Sequence, residues 1–482
     1  MKKVLTVSVF SILLMIALAV CSSARTVKFC DINEDGKLSL QDAMTVCSHI
    51  VGRTELTEDQ IKIADYDDNG SVTLADVMPA FRYIVDEDAN IPEKEIDNKP
   101  EGDSDYVKFM KSLYPDYQES TVGLDITFKD DLVGICYSTW HDYIDAYNGG
   151  QHYNIPEILA NGGVGWGPEN HFHYWSEPAL GYYKSTDKEV IRTHMTQLSE
   201  AGVDFIIIDN TNARSYWTSE YLNGGKVSSW NLAITNPTNA ILDTCLEMRA
   251  EGLETPYIVF WNKNDPAPYG DGWEVSSSIN TTYYFLYKAK YQDLWVYMRS
   301  DATGKAAPLL LGTDASGTVA NTTPSFMVPM TYRTMWGLLV NETEDWSFLD
   351  HDNQPNNPIT DSSTGKTYYE QMPVCAAAQR NYMSNTATAL SRQHGITFYN
   401  QWKNAFEYRP KVVTLTWWNE WQAQRLKVGN GYQFTDLYTP EYSRDIEPMK
   451  GGFGDQYYQW MKQYISAYKN HESCPRLVEA GY

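Results

Sequence analysis

The sequence is short of positive charge. Its 38 Lys and Arg stand against 62 Asp and Glu, a net charge of −24. Nucleic acid and anionic membranes are therefore poor partners, whereas a neutral polymer would feel no such repulsion. There is no C-x-x-C and no Cys/His spacing of the kind a zinc site needs. Of the seven cysteines, Cys21 falls in a leader, and Cys30, Cys47, Cys136, Cys245, Cys375 and Cys474 are widely spread. A Cys30–Cys47 disulfide is open to a secreted chain, but buried thiols are the default reading. Beyond the first residues no apolar run reaches 18, so no transmembrane helix is expected. The one long apolar run, residues 4–20, follows Met1-Lys2-Lys3 and precedes the small residues Ser22, Ser23 and Ala24. It reads as a secretory signal peptide over residues 1–24, cut after Ala24, and hence as an extracellular protein. Leu18-Ala19-Val20-Cys21 has some likeness to a lipoprotein box, but Val20 is bulky for that position.

The chain does hold aromatics: 35 Tyr, 15 Trp and 13% aromatic overall, within a hydrophobic content of 43%. With 482 residues it is long enough for more than one domain.

Two acidic loops repeat 34 residues apart. The first places Asp31, Asn33, Asp35 and Asp42 at loop positions 1, 3, 5 and 12, with Gly36 at 6 and Lys37 at 7. The second places Asp65, Asp67, Asn69 and Asp76 at the same positions, with Gly70 and Ser71 following. Oxygen side chains at this spacing, a Gly for the sharp turn and a main-chain carbonyl at position 7 are the requirements of an EF-hand calcium loop, here with Asp instead of Glu at position 12. Two calcium ions are expected. Each loop leads into a segment with helical apolar spacing, so each unit reads as a loop plus one helix. Residues 29–86 thus resemble a type I dockerin, a small all-α EF-hand-like domain. The resemblance implies docking to a cohesin module of a scaffold protein, with loop positions 10 and 11 in contact: Leu40 and Gln41 in the first repeat, Leu74 and Ala75 in the second. Residues 87–120 are acidic and nearly free of apolar side chains at their start, which reads as an extended linker.

From residue 121 to 482 strand-like and helix-like segments alternate. Strands are expected over 132–140, 203–209, 257–262, 307–312 and from 411, and helices over 187–201, from Asn236 to about 251, and over 379–394. Thr186 and Glu189 read as a capping box, and Asn236 as a cap followed by Pro237. Such alternation implies α/β architecture with a parallel sheet, and the length suits a (β/α)₈ TIM-type barrel. In such barrels chemistry sits at the C-terminal strand ends. Those ends carry His141, then Asp209 and Asn210, then Trp261 and Asn262 with Asp265 nearby, then Asp314, and last Trp418-Asn419-Glu420-Trp421. The aromatic loop over 165–185 could wall a cleft. Its His171 and His173 lack a third ligand at supporting spacing, so metal there is disfavoured.

A carboxylate set among Trp417, Trp418 and Trp421 is an unusual way to finish a strand. Burial would raise the pKa of Glu420 toward general acid/base work, and indole faces suit sugar rings. The plainer alternative is a core strand with packing aromatics and a Glu–Arg pair. The stretches Leu180-Gly-Tyr-Tyr-Lys-Ser-Thr-Asp187, His194-Met195, Ala201-Gly-Val-Asp-Phe-Ile-Ile-Ile-Asp209 and Trp418-Asn-Glu-Trp421 resemble glycoside hydrolases of families 71 and 99. That resemblance implies a barrel acting on a polysaccharide without a catalytic cofactor. In family 99 the catalytic pair lies in Asn-Glu-Trp-x-Glu, and Glu420 matches its first glutamate. The second, the proton donor, falls on Ala423. A hydrolase would then need its second carboxylate from another strand end, and Asp209 is the first choice because it closes an apolar strand. His141, Asn210, Trp261, Asn262, Asp265, Asp314, Trp418, Asn419 and Trp421 are the expected substrate contacts. The rivals are a non-catalytic carbohydrate-binding or structural subunit.

Overall fold

In a computed structural model the residues described are 25–33, 36–51, 56–85, 90–96, 123–127, 129–211, 231–263, 286, 289–299, 306–313, 331–335, 346–350, 355–360, 367–379, 389–435 and 439–482. The chain divides into two compact units, residues 1–106 and 107–482. No helix among the described residues is long and apolar enough to cross a membrane.

In the first unit, β1 (Arg25–Lys28) is followed by α1 (Leu40–Ile50), α2 (Glu58–Ala64), α3 (Leu74–Val85) and β2 (Glu93–Ile96). Two features differ from the sequence reading. A third helix, α2, stands between the repeats, started by a capping box of Thr57 and Gln60. The acidic stretch after residue 86 is not linker throughout, since β2 pairs antiparallel with β1. Lys94 of β2 also reaches Asp68 at 2.6 Å. Phe29, Ile32, Ala43, Val46, Ile63, Val77 and Ala80 form the core. Cys30 and Cys47 are free thiols, the default of the sequence reading, Cys30 buried and Cys47 half-buried.

The second unit is mixed α/β with a large, mostly parallel sheet. In chain order its principal elements are β3 (Leu132–Tyr137), α4 (His141–Tyr147), β4 (Phe172–Tyr174), α5 (Lys188–Glu200), β5 (Phe205–Asn210), α6 (Asn236–Ala250) and β6 (Tyr257–Lys263). These are followed by β7 (Ala306–Thr313), β8 (Thr331–Thr334), β9 (Thr367–Cys375), α7 (Ile396–Tyr408), β10 (Val412–Thr416), β11 (Gln422–Val428) and α8 (Gln456–Lys469). The parallel ladder runs β9-β10-β3-β5-β6-β7-β8. Past β8 it continues through a parallel bridge from Met335 to Trp346. Antiparallel strands Asn356–Thr360 and Val296–Arg299 pair with β9 and β7 respectively.

The central parallel strands β3, β5 and β10 are buried on both faces, as strands lying between two layers must be. Side-chain alternation separates the faces. Val133, Ile135, Ile206, Ile208, Ile258, Phe260, Val413 and Leu415 pack outward onto Met195 and Leu198 of α5, Ile241 and Cys245 of α6, Trp402 of α7 and Tyr464 of α8. Cys136, Phe205, Ile207, Val259, Trp261, Leu309, Leu311, Cys375 and Val412 form a second, inner cluster with Met335, Trp346 and Trp417.

Of the helix expected over 379–394, residues 380–388 lie outside those described; Ala378 bridges Leu390, and the helix before β10 is α7. Gln393, His394 and Gly395 all take positive φ, which a helix cannot pass through. Helix α5 is capped by Asp187, whose carboxylate accepts from Glu189 and Val190 N–H, and not by Thr186. The Thr186 hydroxyl instead donates to Asp142 at 2.6 Å. The N-cap of α6 is Thr235, one residue before Asn236. The first strand stops at Tyr137, so His141 opens α4 and does not end a strand.

Candidate active site

The segment from Trp417 to Trp421 leaves the C-terminal end of β10 and turns into β11. Its indoles are enclosed. Trp421 stacks on Trp175 with centroids 4.5 Å apart, Trp418 meets His194 edge-on at 5.6 Å, and Trp417 lies 6.1 Å from Trp261. Trp417, Trp418, Trp421 and Trp261 are all buried, so these rings pack as core aromatics in the way the plainer sequence reading describes. Asn419 is fixed by a two-way bond with Ser138: its Oδ1 accepts from the Ser138 N–H at 2.8 Å and its Nδ2 donates to the Ser138 carbonyl at 3.1 Å. His141 lies against the Asn419 carbonyl through Nε2 at 3.2 Å and against the Gln422 amide through Nδ1 at 2.7 Å. Burial, and then the neighbouring His194, push its pKa down to about 3, so it stays neutral.

The Glu420 carboxylate accepts from Arg444 Nη2 at 2.8 Å. Arg444 is 1% exposed and Glu420 8%. Asp445 Oδ1 accepts the main-chain N–H of Glu420, and Asp445 Oδ2 accepts from Trp175 Nε1 at 2.6 Å. Burial raises the Asp445 pKa to about 7, against the opposing pull of the Trp175 N–H and Arg444. Glu447 accepts from Tyr183 Oη at 2.7 Å and from Trp421 Nε1, and its other oxygen lies 3.0 Å from His194 Nε2. Sequence reasoning missed Arg444, Asp445 and Glu447. The available signal was Ser443-Arg-Asp-Ile-Glu-Pro448, three charges crowded around one Ile just before a proline, but nothing in it names Glu420 as the partner.

Asp209 has the inward parity of Phe205 and Ile207, and its Oδ1 caps the following turn by accepting from the Thr211 N–H at 2.8 Å. Asp209, Glu420 and Arg444 all act electrostatically on the Cys136 thiol, which burial above all pushes well beyond its ordinary pKa. The strand of Cys136, β3, lies between β5, which ends in Asp209 and Asn210, and β10, which leads to Glu420. Asn210 and Asn262 are register partners with the opposite parity, on the helix-facing side of the sheet, and both are buried. They are separated from Asp209 by the sheet itself. Asp265 and Asp314 lie outside the described residues. Ala423, in β11, is buried and pairs with His173 of β4. His173 is itself buried and lies against the Trp166 carbonyl at 2.8 Å.

In the first unit, the carboxylates of Asp65, Asp67 and Asp76 offer oxygens within 4.8 Å of one another, the one such group of potential metal ligands among the described residues. Asp76 ties both ends of its loop: Oδ1 accepts from the Tyr66 N–H at 3.0 Å and Oδ2 from the Thr73 N–H at 2.9 Å. Burial alone would raise its pKa, but the bonds from Thr73, Tyr66 and Asp67 outweigh it and keep the carboxyl ionised. Asp42 repeats the arrangement with Asn33 and Ser39. Gly36 and Gly70 sit at φ +84° and +85°, the left-handed turn position 6 requires. Asp35 lies outside the described residues. Leu40, Gln41, Leu74 and Ala75 are exposed. Leu40, Met44 and Val51, and at the same 34-residue offset Leu74, Met78 and Val85, are each more than half exposed.

No family model matches the sequence, and no curated protein matches it. Among solved structures the chain is similar to the GH99 endo-alpha-mannosidase from Bacteroides thetaiotaomicron, at 14% identity over 71% of this chain and 99% of that one, with a TM-score of 0.43. The same enzyme in complex with bis-tris-propane gives 14% identity, 71% and 98% coverage and a TM-score of 0.40. A protein described as glycoside hydrolase-like gives 14% identity, 73% and 98% coverage and a TM-score of 0.37. A likeness at this level carries no activity over to this chain.

Proposed function

We propose that the protein is a secreted glycoside hydrolase that cleaves O-glycosidic bonds in a polysaccharide and is carried on a scaffold by a calcium-loaded dockerin. The observation that carries the catalytic part is the placement of Asp209 at the C-terminal end of β5 and of Glu420 just past that of β10, the two strands that flank β3. The parallel ladder is read as a barrel closed between Trp346 and β9, which would place both carboxylates at one mouth. Glu420, held by Arg444, would serve as the ionised group that assists attack at the anomeric carbon, and Asp209 as the proton donor. Sugar release by the purified protein from a panel of glucans, mannans and xylans tests this, with Glu420→Gln as the control that should lose it. The buried Ala423, at the place of the family's second glutamate, favours a rival reading: a carbohydrate-binding subunit without catalysis. Binding to the same polysaccharides with no release from any of them would decide for the rival.

In the first unit calcium would be held by Asp31, Asn33, Asp35, Asp42 and the Lys37 carbonyl, and by Asp65, Asp67, Asn69, Asp76 and the Ser71 carbonyl. It would supply the positive charge that these crowded carboxylates lack. The matched apolar residues of α1 and α3 support a protein partner, read as a cohesin module, on the faces that begin at Leu40-Gln41 and Leu74-Ala75.

A further inference from the structure

Segment 443–448 is bonded to the turn that carries Glu420 through three of its residues. Arg444 Nη2 donates to the Glu420 carboxylate at 2.8 Å. Asp445 accepts the Glu420 main-chain N–H. The Glu447 main-chain N–H donates to the Trp418 carbonyl at 3.0 Å, and its carboxylate accepts from Trp421 Nε1. Side chain, main chain and flanking indole at Glu420 are thus each held by a different residue of one short stretch.

That stretch is anchored in turn. Arg392, itself buried, donates through Nε to the Ser443 carbonyl at 2.9 Å and through Nη2 to the Asp445 carbonyl at 2.6 Å, with its guanidinium over Tyr457 at 4.1 Å. On the other side Glu447 meets His194, whose Nδ1 lies 2.8 Å from Tyr137 Oη on β3. Buried charges are costly unless each has partners, and a core of this size could have been built from apolar residues. Three charged residues that converge on one turn point to placement of that turn.

We propose that Arg444, Asp445 and Glu447 are positioning residues that set the carboxylate of Glu420 for reaction, with Glu447 linking the turn through His194 of α5 to Tyr137 on the neighbouring strand β3. The inference rests on Glu420 being catalytic. Positioning acts on the reacting geometry, and a misplacement of about 1 Å can cost on the order of 10²-fold in rate. The signature is therefore a fall in kcat with KM unchanged.

The test uses the full chain with soluble mannan, glucan and xylan as probes, and the variants Arg444→Lys, Asp445→Asn, Glu447→Ala and Glu447→Gln. Arg444→Lys keeps the charge but loses the planar fork. Asp445→Asn keeps the shape but sets an amide N–H₂ against either the Trp175 or the Glu420 N–H. Glu447→Gln can keep an acceptor toward Tyr183 and Trp421 and turn its amide to His194, whereas Glu447→Ala cannot. Expected are losses in kcat on the order of 10²-fold for Asp445→Asn and Glu447→Ala, unchanged KM, and recovery of most of the rate in Glu447→Gln. The indole N–H resonances of Trp175 and Trp421 should move in Asp445→Asn and Glu447→Ala respectively, a readout that needs no turnover. If Glu420→Gln is inactive while the four variants match the parent in kcat, the positioning inference is wrong and the hydrolase reading stands. If all four lower KM-related binding and kcat together with a loss of near-UV dichroism, the segment is structural only and the inference is overturned. Activity retained in Glu420→Gln, or absent from the parent, overturns both readings.

Discussion

Gln371 and Ser347 are bonded to each other in both directions. The Ser347 N–H donates to Gln371 Oε1 at 3.0 Å, and Gln371 Nε2 donates to the Ser347 carbonyl at 2.8 Å. One amide side chain on β9 therefore takes the place of a strand ladder against the segment that follows Trp346. The same amide reaches Asn356 and Thr414. Gln371→Leu would remove every one of these contacts and leave buried donors and acceptors behind. At about 1–3 kcal/mol for each unsatisfied group, a loss of at least ~3 kcal/mol is expected. Denaturant unfolding of the variant checks it, with the Trp346 environment as the local probe.

Asp445 gives the second unit a pH dependence of definite sign. Its pKa is raised to about 7 in the fold by burial, above the ordinary carboxylate value of about 4. Between those two values the folded chain holds a proton that the unfolded chain has lost. This contribution to stability is fully present below about pH 4, declines by about 1.4 kcal/mol per unit up to about pH 7, and is level above it. Melting temperatures of Asp445→Asn should lack that slope between pH 4 and 7. A parallel curve in variant and parent would exclude Asp445 as its source.

Removal of calcium should unfold the first unit and leave the second folded. Without the ion, Asp65, Asp67 and Asp76 repel at close range, opposed by main-chain N–H groups, the Thr73 hydroxyl and the Lys94 ammonium at Asp68. Calorimetry with and without chelator should show a low-temperature transition that moves down on calcium removal and a high-temperature one that does not. Because Asp76 is held ionised by its hydrogen bonds, its stabilisation is present above the ordinary carboxylate pKa and is lost as pH falls through its lowered value.

The exposed Leu, Met and Val of α1 and α3 give the attachment prediction. Leu40→Asp combined with Leu74→Asp places a charge on both faces and should abolish pull-down by a cohesin, with the calcium-dependent transition unchanged because neither side chain is buried. Capture of the double variant at parent strength would exclude these faces.

Glu420→Gln and Asp209→Asn should each lower sugar release by about 10²–10⁴-fold if these groups act in acid/base or covalent steps. Asp209→Asn should weigh most on substrates with poor leaving groups, since they depend on proton donation. Parent-level rates in both variants would move the reaction elsewhere.

The strands were the most legible part of the second unit, because runs such as Ile206-Ile207-Ile208 have only one comfortable place, buried on both faces. The end expected for a helix at His394 was misread because apolar spacing says nothing of the left-handed backbone at Gln393, His394 and Gly395. Asp209 and Glu420 could be read as strand ends. The opposite parity of Asn210 and Asn262 follows from counting alternate residues once Asp209 is set inward, yet neighbours in sequence are easily taken as neighbours in a site. Arg444, Asp445 and Glu447 could not be paired with their turn, since that pairing is tertiary and 20 or more residues separate the partners.

The two faces of the parallel sheet each enclose a thiol: Cys245 among the helix-facing side chains, Cys136 and Cys375 in the inner cluster. Burial makes all three poor nucleophiles while the fold is closed. The order in which they become alkylated under mild denaturant would record which layer opens first, the coat of helices or the interior that holds Glu420. The chain carries, in unmodified form, its own chronometer for the loosening of the site.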